Sequence, residues 1–268
     1  MILRCYLEDT RTWLFIPCLF VLISCSSDDP SDVDVTPEPT ADNCLLQKQV
    51  SPTQTITITR NSKGLTTRID NDYHSQNLTY TTSSVVEYDA SDRVVKIIGK
   101  DYSFTYEYDS QGKITLEKYD AIFDPTKSFS YPYERSFFYN DAGDLVKIAW
   151  DEYTYERYEY DATGNLIKQF LQTSTQPEYL KIEYLSYDDK KSPYADFPFQ
   201  QDINVGTAHV YAIITSYRPI VNKSNILSAK SYLQSGTSTT QNVTYQYNDG
   251  GYATSVNGLN ISYNYECK

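Results

Sequence analysis

Tyr106-Glu107-Tyr108-Asp109-Ser110-Gln111-Gly112-Lys113-Ile114 decides the fold. Two tyrosines alternate with a charged residue, as on a strand with one face buried. Asp109 follows, and an aspartate there accepts from backbone N–H groups two residues on. Gly112 tolerates the positive φ that a tight turn closed by a bulge residue requires. Ile114 then opens a second strand. The unit is a β-hairpin written in nine residues.

Reading outward, the unit recurs as Tyr139-Asn140-x-x-Gly143-x-Leu145, Tyr158-x-Tyr160-Asp161-x-x-Gly164-x-Leu166 and Tyr245-x-Tyr247-Asn248-x-x-Gly251. A first copy without tyrosine is Ile58-x-Arg60-Asn61-x-x-Gly64-Leu65. Val86-x-Tyr88-Asp89-x-x-Asp92-x-Val94 lacks the glycine, and Lys191 stands where a turn begun at Asp188 expects one. The turn geometry is therefore open at Asp92 and Lys191. Between the turns the pattern keeps period two: Tyr102, Phe104, Tyr106 and Tyr108 share one face, as do Leu259, Ile261, Tyr263, Tyr265 and Cys267.

The Tyr-Asp-x-x-Gly-x-Leu pattern resembles the YD repeats of RHS-type proteins. Its arrangement over roughly residues 50 to 265 resembles uncharacterised lipoproteins of Bacteroidetes-type bacteria, a domain-of-unknown-function family described as porin-like in fold. The resemblance implies a fold and no catalytic residue.

About 14 to 16 strands are predicted from about Thr53 to Tyr265, nearly all joined by hairpins. A meander this long must curl to cover its apolar face and its edges. The expected fold is all-β: an up-and-down antiparallel meander rolled or closed into a soluble barrel. The non-aromatic face is rich in Thr, Ser, Lys and Glu, where a membrane porin needs an apolar belt. A barrel of this many strands must flatten, fill its lumen with tyrosines, or hold something.

Residues 1–24 read as a lipoprotein signal peptide. Trp13 to Ile23 is an uncharged apolar run, too short to span a bilayer comfortably. Leu22-Ile23-Ser24-Cys25 matches a lipobox, so Cys25 is the expected lipidation site and membrane anchor. Arg4 and Arg11 precede the run, but so do Glu8 and Asp9. Residues 26 to 43 hold six acids, three prolines and no base, so 25–43 is an expected disordered tether, with the β-domain at 44–268. Ser26-Ser27-Asp28-Asp29 resembles the acidic export signal of Bacteroidetes lipoproteins, which implies the outer membrane with the domain facing outward. The alternatives are a generic spacer and the periplasmic side.

Net charge is −12, and about −6 remains without the tether acids. Nucleic acid and anionic lipid would need a basic face, so neither is an expected partner. Of five cysteines, Cys5 and Cys18 leave with the signal and Cys25 carries lipid. Cys44 and Cys267 remain on an oxidising side and are expected to pair, the alternative being two free thiols.

The 27 tyrosines admit two readings. Rings can pack across strands with their hydroxyls wet, or form a stacking platform for a flat ligand such as a sugar. The stretch 188–204 breaks the hairpin rhythm. Its Tyr194, Phe197 and Phe199 are candidates for a ligand-binding rim, or else a plug over one end of the sheet. Ala121 to Tyr133 is a second, weaker irregular loop.

His74 and His209 stand alone, so no metal or other cofactor is expected. No Gly-x-Ser-x-Gly or phosphate loop occurs. Three functions follow. A non-enzymatic surface lipoprotein binding an extracellular glycan or peptide is the first. An accessory of the cell envelope that binds other envelope proteins is the second. A polysaccharide-acting enzyme is the third; it would need two carboxylates at glycosidase spacing.

Overall fold

A computed structural model describes residues 44–75, 78–121, 132–194 and 223–267. Within them lie seventeen strands and no helix. In chain order these are β1 (Cys44–Ser51), β2 (Gln54–Arg60), β3 (Thr66–Ser75), β4 (Leu78–Tyr88), β5 (Val94–Ile98), β6 (Tyr102–Tyr108) and β7 (Ile114–Ala121). They continue as β8 (Tyr133–Tyr139), β9 (Leu145–Ala149), β10 (Tyr155–Tyr160), β11 (Leu166–Thr173), β12 (Gln176–Lys191) and β13 (Ser224–Tyr232). The last are β14 (Ser238–Asn242), β15 (Thr244–Tyr247), β16 (Ala253–Asn257) and β17 (Ile261–Cys267).

Sequential strands pair antiparallel from β1 to β14 and from β15 to β17, and β17 returns to pair with β1. Val243 alone separates β14 from β15, too little chain for a hairpin. The two run end to end, the first half against β13 and the second against β16. Val243 N–H reaches Leu227 O, so the ladder passes through the hand-off. The sheet is thus a nearly closed barrel. Its strand count exceeds the expected range because Val243 divides one strand and β1 begins at Cys44. Cys44 and Cys267 face each other in the closing ladder and are joined by a disulfide.

Each Asp/Asn turn closes the same way. In the 109–113 turn, Asp109 N–H reaches Lys113 O and Gly112 N–H reaches Asp109 O. Asp109 Oδ1 accepts from the backbone N–H groups of Gln111 and Lys113. Gly112 sits at φ +79°. The turn at Asp89 forms too, with Asp92 at φ 59° in the glycine's place. An aspartate tolerates the left-handed region better than most residues, so geometry survives where the letter changes.

At Asp188 the expected tight turn does not form. Strand β12 runs on through Lys191, and the chain returns only at Ser224. Yet Asp188 Oδ1 accepts from Lys190 N–H and from Asn225 N–H, the same two bonds that Asp109 makes. Asn225 takes the place of the residue four after the aspartate. Residues 192–224 are therefore an insertion inside one turn of the repeat.

The outer face carries a charged and polar row across β5 to β8, with Val85, Phe138 and Leu185 scattered as exposed apolar residues. Lys96, Thr105, Lys118 and Glu134 are consecutive cross-strand partners on β5 to β8, pointing away from the core. Lys118 also pairs with Glu107 at 2.6 Å. A lipid-facing belt is the opposite of this.

Candidate functional site

The tyrosine of the repeat has a specific target. Tyr108 OH donates to Val94 O, Tyr160 OH to Leu145 O and Tyr88 OH to Thr66 O. Tyr187 does the same to Leu166 O, Tyr245 to Ile226 O and Tyr265 to Ala253 O. In each case the acceptor is the strand residue just past the preceding Asp/Asn turn. Ile226 fits this rule only if Asn225 completes the turn of Asp188, which supports the insertion independently. These tyrosines latch one hairpin to the previous one. Burial pushes the hydroxyls of Tyr160, Tyr187, Tyr245 and Tyr265 well above the usual tyrosine pKa.

The inner face changes character along the strands. Beside the Asp/Asn turns it is apolar: Ile58, Val86, Val94, Tyr106, Ile114, Phe137, Leu145, Tyr158 and Leu166. Further along, polar groups are buried. Gln54 Nε2 donates to Asn71 Oδ1 at 2.6 Å. Arg135 Nε donates to Glu117 Oε1 at 2.7 Å, with side chains 4% and 0% exposed. Glu156 accepts from Tyr158 OH at 2.7 Å and from Gln169 Nε2 and Lys181 Nζ at 3.1 Å each. Both buried carboxylates are thus engaged by cations and donors.

At the mouth away from the Asp/Asn turns, the inner face becomes aromatic. Tyr73 stacks on Tyr80 at 4.6 Å, and Tyr119 on Tyr133 at 4.8 Å, both within 16° of parallel. Tyr102 stacks on Tyr119 at 6.4 Å and its hydroxyl meets that of Ser84 at 2.7 Å. The Arg135 guanidinium lies 5.7 Å from the Tyr133 ring centre and 5.5 Å from that of Trp150. These rings are partly open to solvent, and Tyr80 is 43% exposed.

Tyr194 is not at a rim. It is 9% exposed, its hydroxyl donates to Gln49 Oε1 and its ring meets Tyr263 edge-on at 6.1 Å. The first residues of the insertion, Ser192 to Tyr194, are buried against β1 and β17, as a plug would be. The reason is polar as well as apolar: buried Gln49 needs a donor, and Tyr194 brings one with its ring. Phe197, Phe199 and His209 lie outside the described residues, as do Cys25, the signal segment, the tether and most of the second irregular loop. Among the described residues no three His, Cys, Asp or Glu side chains gather as a metal site.

Sequence reasoning missed Glu117, Arg135 and Glu156. Parity could have found all three. Arg135 lies two residues from Tyr133 and from Phe137, Glu156 two from Tyr158 and Glu117 two from Tyr119, hence on their face. Counted from Ile114 instead, Glu117 falls on the wrong face, because the register shifts between Ile114 and Leu116.

With this geometry the chain defines a class: an all-β antiparallel barrel of stacked Asp/Asn-turn hairpins. It is similar to a porin-like protein from Bacteroides uniformis, at 15% identity over 85% of this chain and 100% of that one, with a TM-score of 0.56. At that identity the likeness shows the fold alone. Weaker likenesses are to the TcdB2-TccC3-Cdc42 complex (12% identity, 76% of this chain and 10% of that, TM-score 0.31) and to the Photorhabdus luminescens Tc holotoxin pore (12%, 82% and 12%, 0.33). This chain spans about a tenth of those, and no argument rests on them. No family model and no curated protein matches the chain.

Proposed function

We propose that the protein is a lipid-anchored outer-membrane lipoprotein, facing outward, that holds an extracellular glycan without catalysis at its aromatic mouth. The carrying observation is the inner-face row of Tyr73, Tyr80, Tyr102, Tyr119 and Tyr133, partly open to solvent. Unlike the latch tyrosines, these stack on one another and border buried amides and a hydroxyl at Gln54, Asn71 and Ser84. Ring edges, ring faces and hydrogen-bonding groups together suit a polyhydroxylated chain. The non-catalytic part is supported by the engagement of Glu117 and Glu156. The address is supported by the lipobox ending at Cys25 and the acidic residues after it.

The test is a glycan array, with an extended-peptide array beside it, probed with residues 26–268 and with the Tyr80→Ala/Tyr119→Ala variant. Retention of a glycan by the parent, lost in a variant that still melts cooperatively, is expected. Glycan retention that survives the double substitution, or retention of peptides alone, contradicts the reading.

A further inference from the structure

Strand β4 is longer than its neighbour on one side. The last pair it makes with β5 is Val85 with Ile98, after which β5 turns back through Gly99 into β6. The strand nevertheless extends to Leu78, paired only with β3. Among the described residues, nothing pairs with the other edge of Leu78 to Ser84. Along this edge, about 20 Å of strand, every second residue turns its N–H and C=O outward, with no partner among the described residues. Edges of this kind are ordinarily guarded by lysine, proline or a bulge. This one reads Leu-Thr-Tyr-Thr-Thr-Ser-Ser and has none of these.

We propose that this edge pairs with the same edge of a second copy of the chain, extending the sheet across a two-fold axis near Thr81. The chemistry of an unpaired edge selects a strand, because only a strand supplies a ladder of matching donors and acceptors. Antiparallel pairing about Thr81 sets Tyr80 against Thr82, Thr79 against Ser83 and Leu78 against Ser84. No charge meets a like charge, and every residue from Thr79 to Thr82 is a good strand former. Such an isologous contact is self-completing: the same edge is used up on both copies.

Net negative charge does not prevent this. The acids cross-strand from this edge, Asp70 and Asp72, stand one strand back on β3, and Asp70 is paired with Arg68 at 2.8 Å. The two copies of Asp72 would lie about three strand spacings apart, roughly 14 Å. Physiological salt screens charges over about 8 Å. The inference rests on the backbone edge; Tyr80 belongs both to it and to the aromatic row, and Thr81→Lys leaves that ring in place, so the two readings are tested apart.

Sedimentation of residues 26–268 over roughly 1–100 μM tests it. The parent chain is expected to dimerise reversibly. Thr81→Lys, which brings two lysines together at the axis and removes the Thr81 hydroxyl's bond to Asp72, is expected to weaken the dimer about tenfold or more while the chain still melts cooperatively. Thr81→Val should dimerise like the parent. If Thr81→Lys fails to fold, Thr81→Cys should form a disulfide-linked dimer on mild oxidation, while Val85→Cys, already paired within its own sheet, should not. A parent chain that stays monomeric, a Thr81→Lys dimer as tight as the parent's, or equal cross-linking of the Thr81→Cys and Val85→Cys variants overturns the proposal.

Discussion

Tyr160 shows what one residue contributes. Its ring covers the core and its hydroxyl holds Leu145 O at 2.7 Å, fifteen residues back. Tyr160→Phe keeps the ring and removes the bond, so a loss of roughly 0.5–1.5 kcal/mol is expected by chemical denaturation. Tyr153→Phe, at a 57% exposed ring, should cost nothing measurable. The turns test backbone strain separately. Gly236 sits at φ +83°, and a Cβ there would meet no heavy atom within 4 Å, so Gly236→Val measures conformation alone. A loss of about 1–3 kcal/mol is expected there, against little for Ser235→Val. Asp92→Gly should run the other way and stabilise by up to about 1 kcal/mol, since Asp92 occupies a left-handed position. Turn residues were legible in the sequence because their chemistry is local. The latch was not, because the acceptor carbonyl belongs to a different hairpin and any residue type supplies one.

At the scale of elements, the divided turn is the informative case. Asp188 and Asn225 are far apart in sequence, yet Asn225 Nδ2 donates to Asp188 Oδ2 at 3.0 Å and to Lys191 O at 3.2 Å. A reading confined to four consecutive residues sees Lys191 in place of glycine and stops there. The completing residue is the first buried polar one after the chain returns, with Asn225 3% exposed. Asn225→Ala should cost roughly 1–3 kcal/mol, because it removes the bonds that a buried amide donates to the Asp188 carboxylate and to Lys191 O, while the Tyr247 hydroxyl still donates to that carboxylate. In a double-mutant cycle with Asp188→Ala the two losses should fall short of additive by about 0.5–3 kcal/mol. Strictly additive losses would mean that the two residues do not form one turn. The buried pair of Glu117 and Arg135 makes a parallel point. Arg135→Met leaves Glu117 charged and dry, so a loss of about 3–5 kcal/mol is expected.

For the whole molecule, closure joins the first strand to the last, and the disulfide lies in that seam. Long-range closure was legible only through the two remaining cysteines; the end-to-end division at Val243 left no local mark. Alkylation without reduction should label neither Cys44 nor Cys267. In the chain-entropy view the bond contributes roughly up to 5 kcal/mol, so reduction should lower the melting temperature. Alkali probes the tyrosines collectively. Tyr187, Tyr194, Tyr245, Tyr263 and Tyr265 all have raised pKa values in the folded state, with burial the largest cause. A group raised on folding stabilises fully below its unfolded pKa, about 10 for tyrosine, and that stability is lost as pH climbs toward the folded value. Thermal melts should therefore hold level up to about pH 9 and fall steeply above about pH 10. Tyrosines thus divide their labour: latches near the Asp/Asn turns, an open row at the other mouth. Site-resolved nitration of the folded protein, read by mass spectrometry, tests that division most directly. Tyr80 should be modified early, while Tyr160, Tyr187, Tyr245 and Tyr265 stay unmodified until the barrel unfolds. Latch tyrosines nitrated as fast as Tyr80 in a still-folded barrel would contradict it.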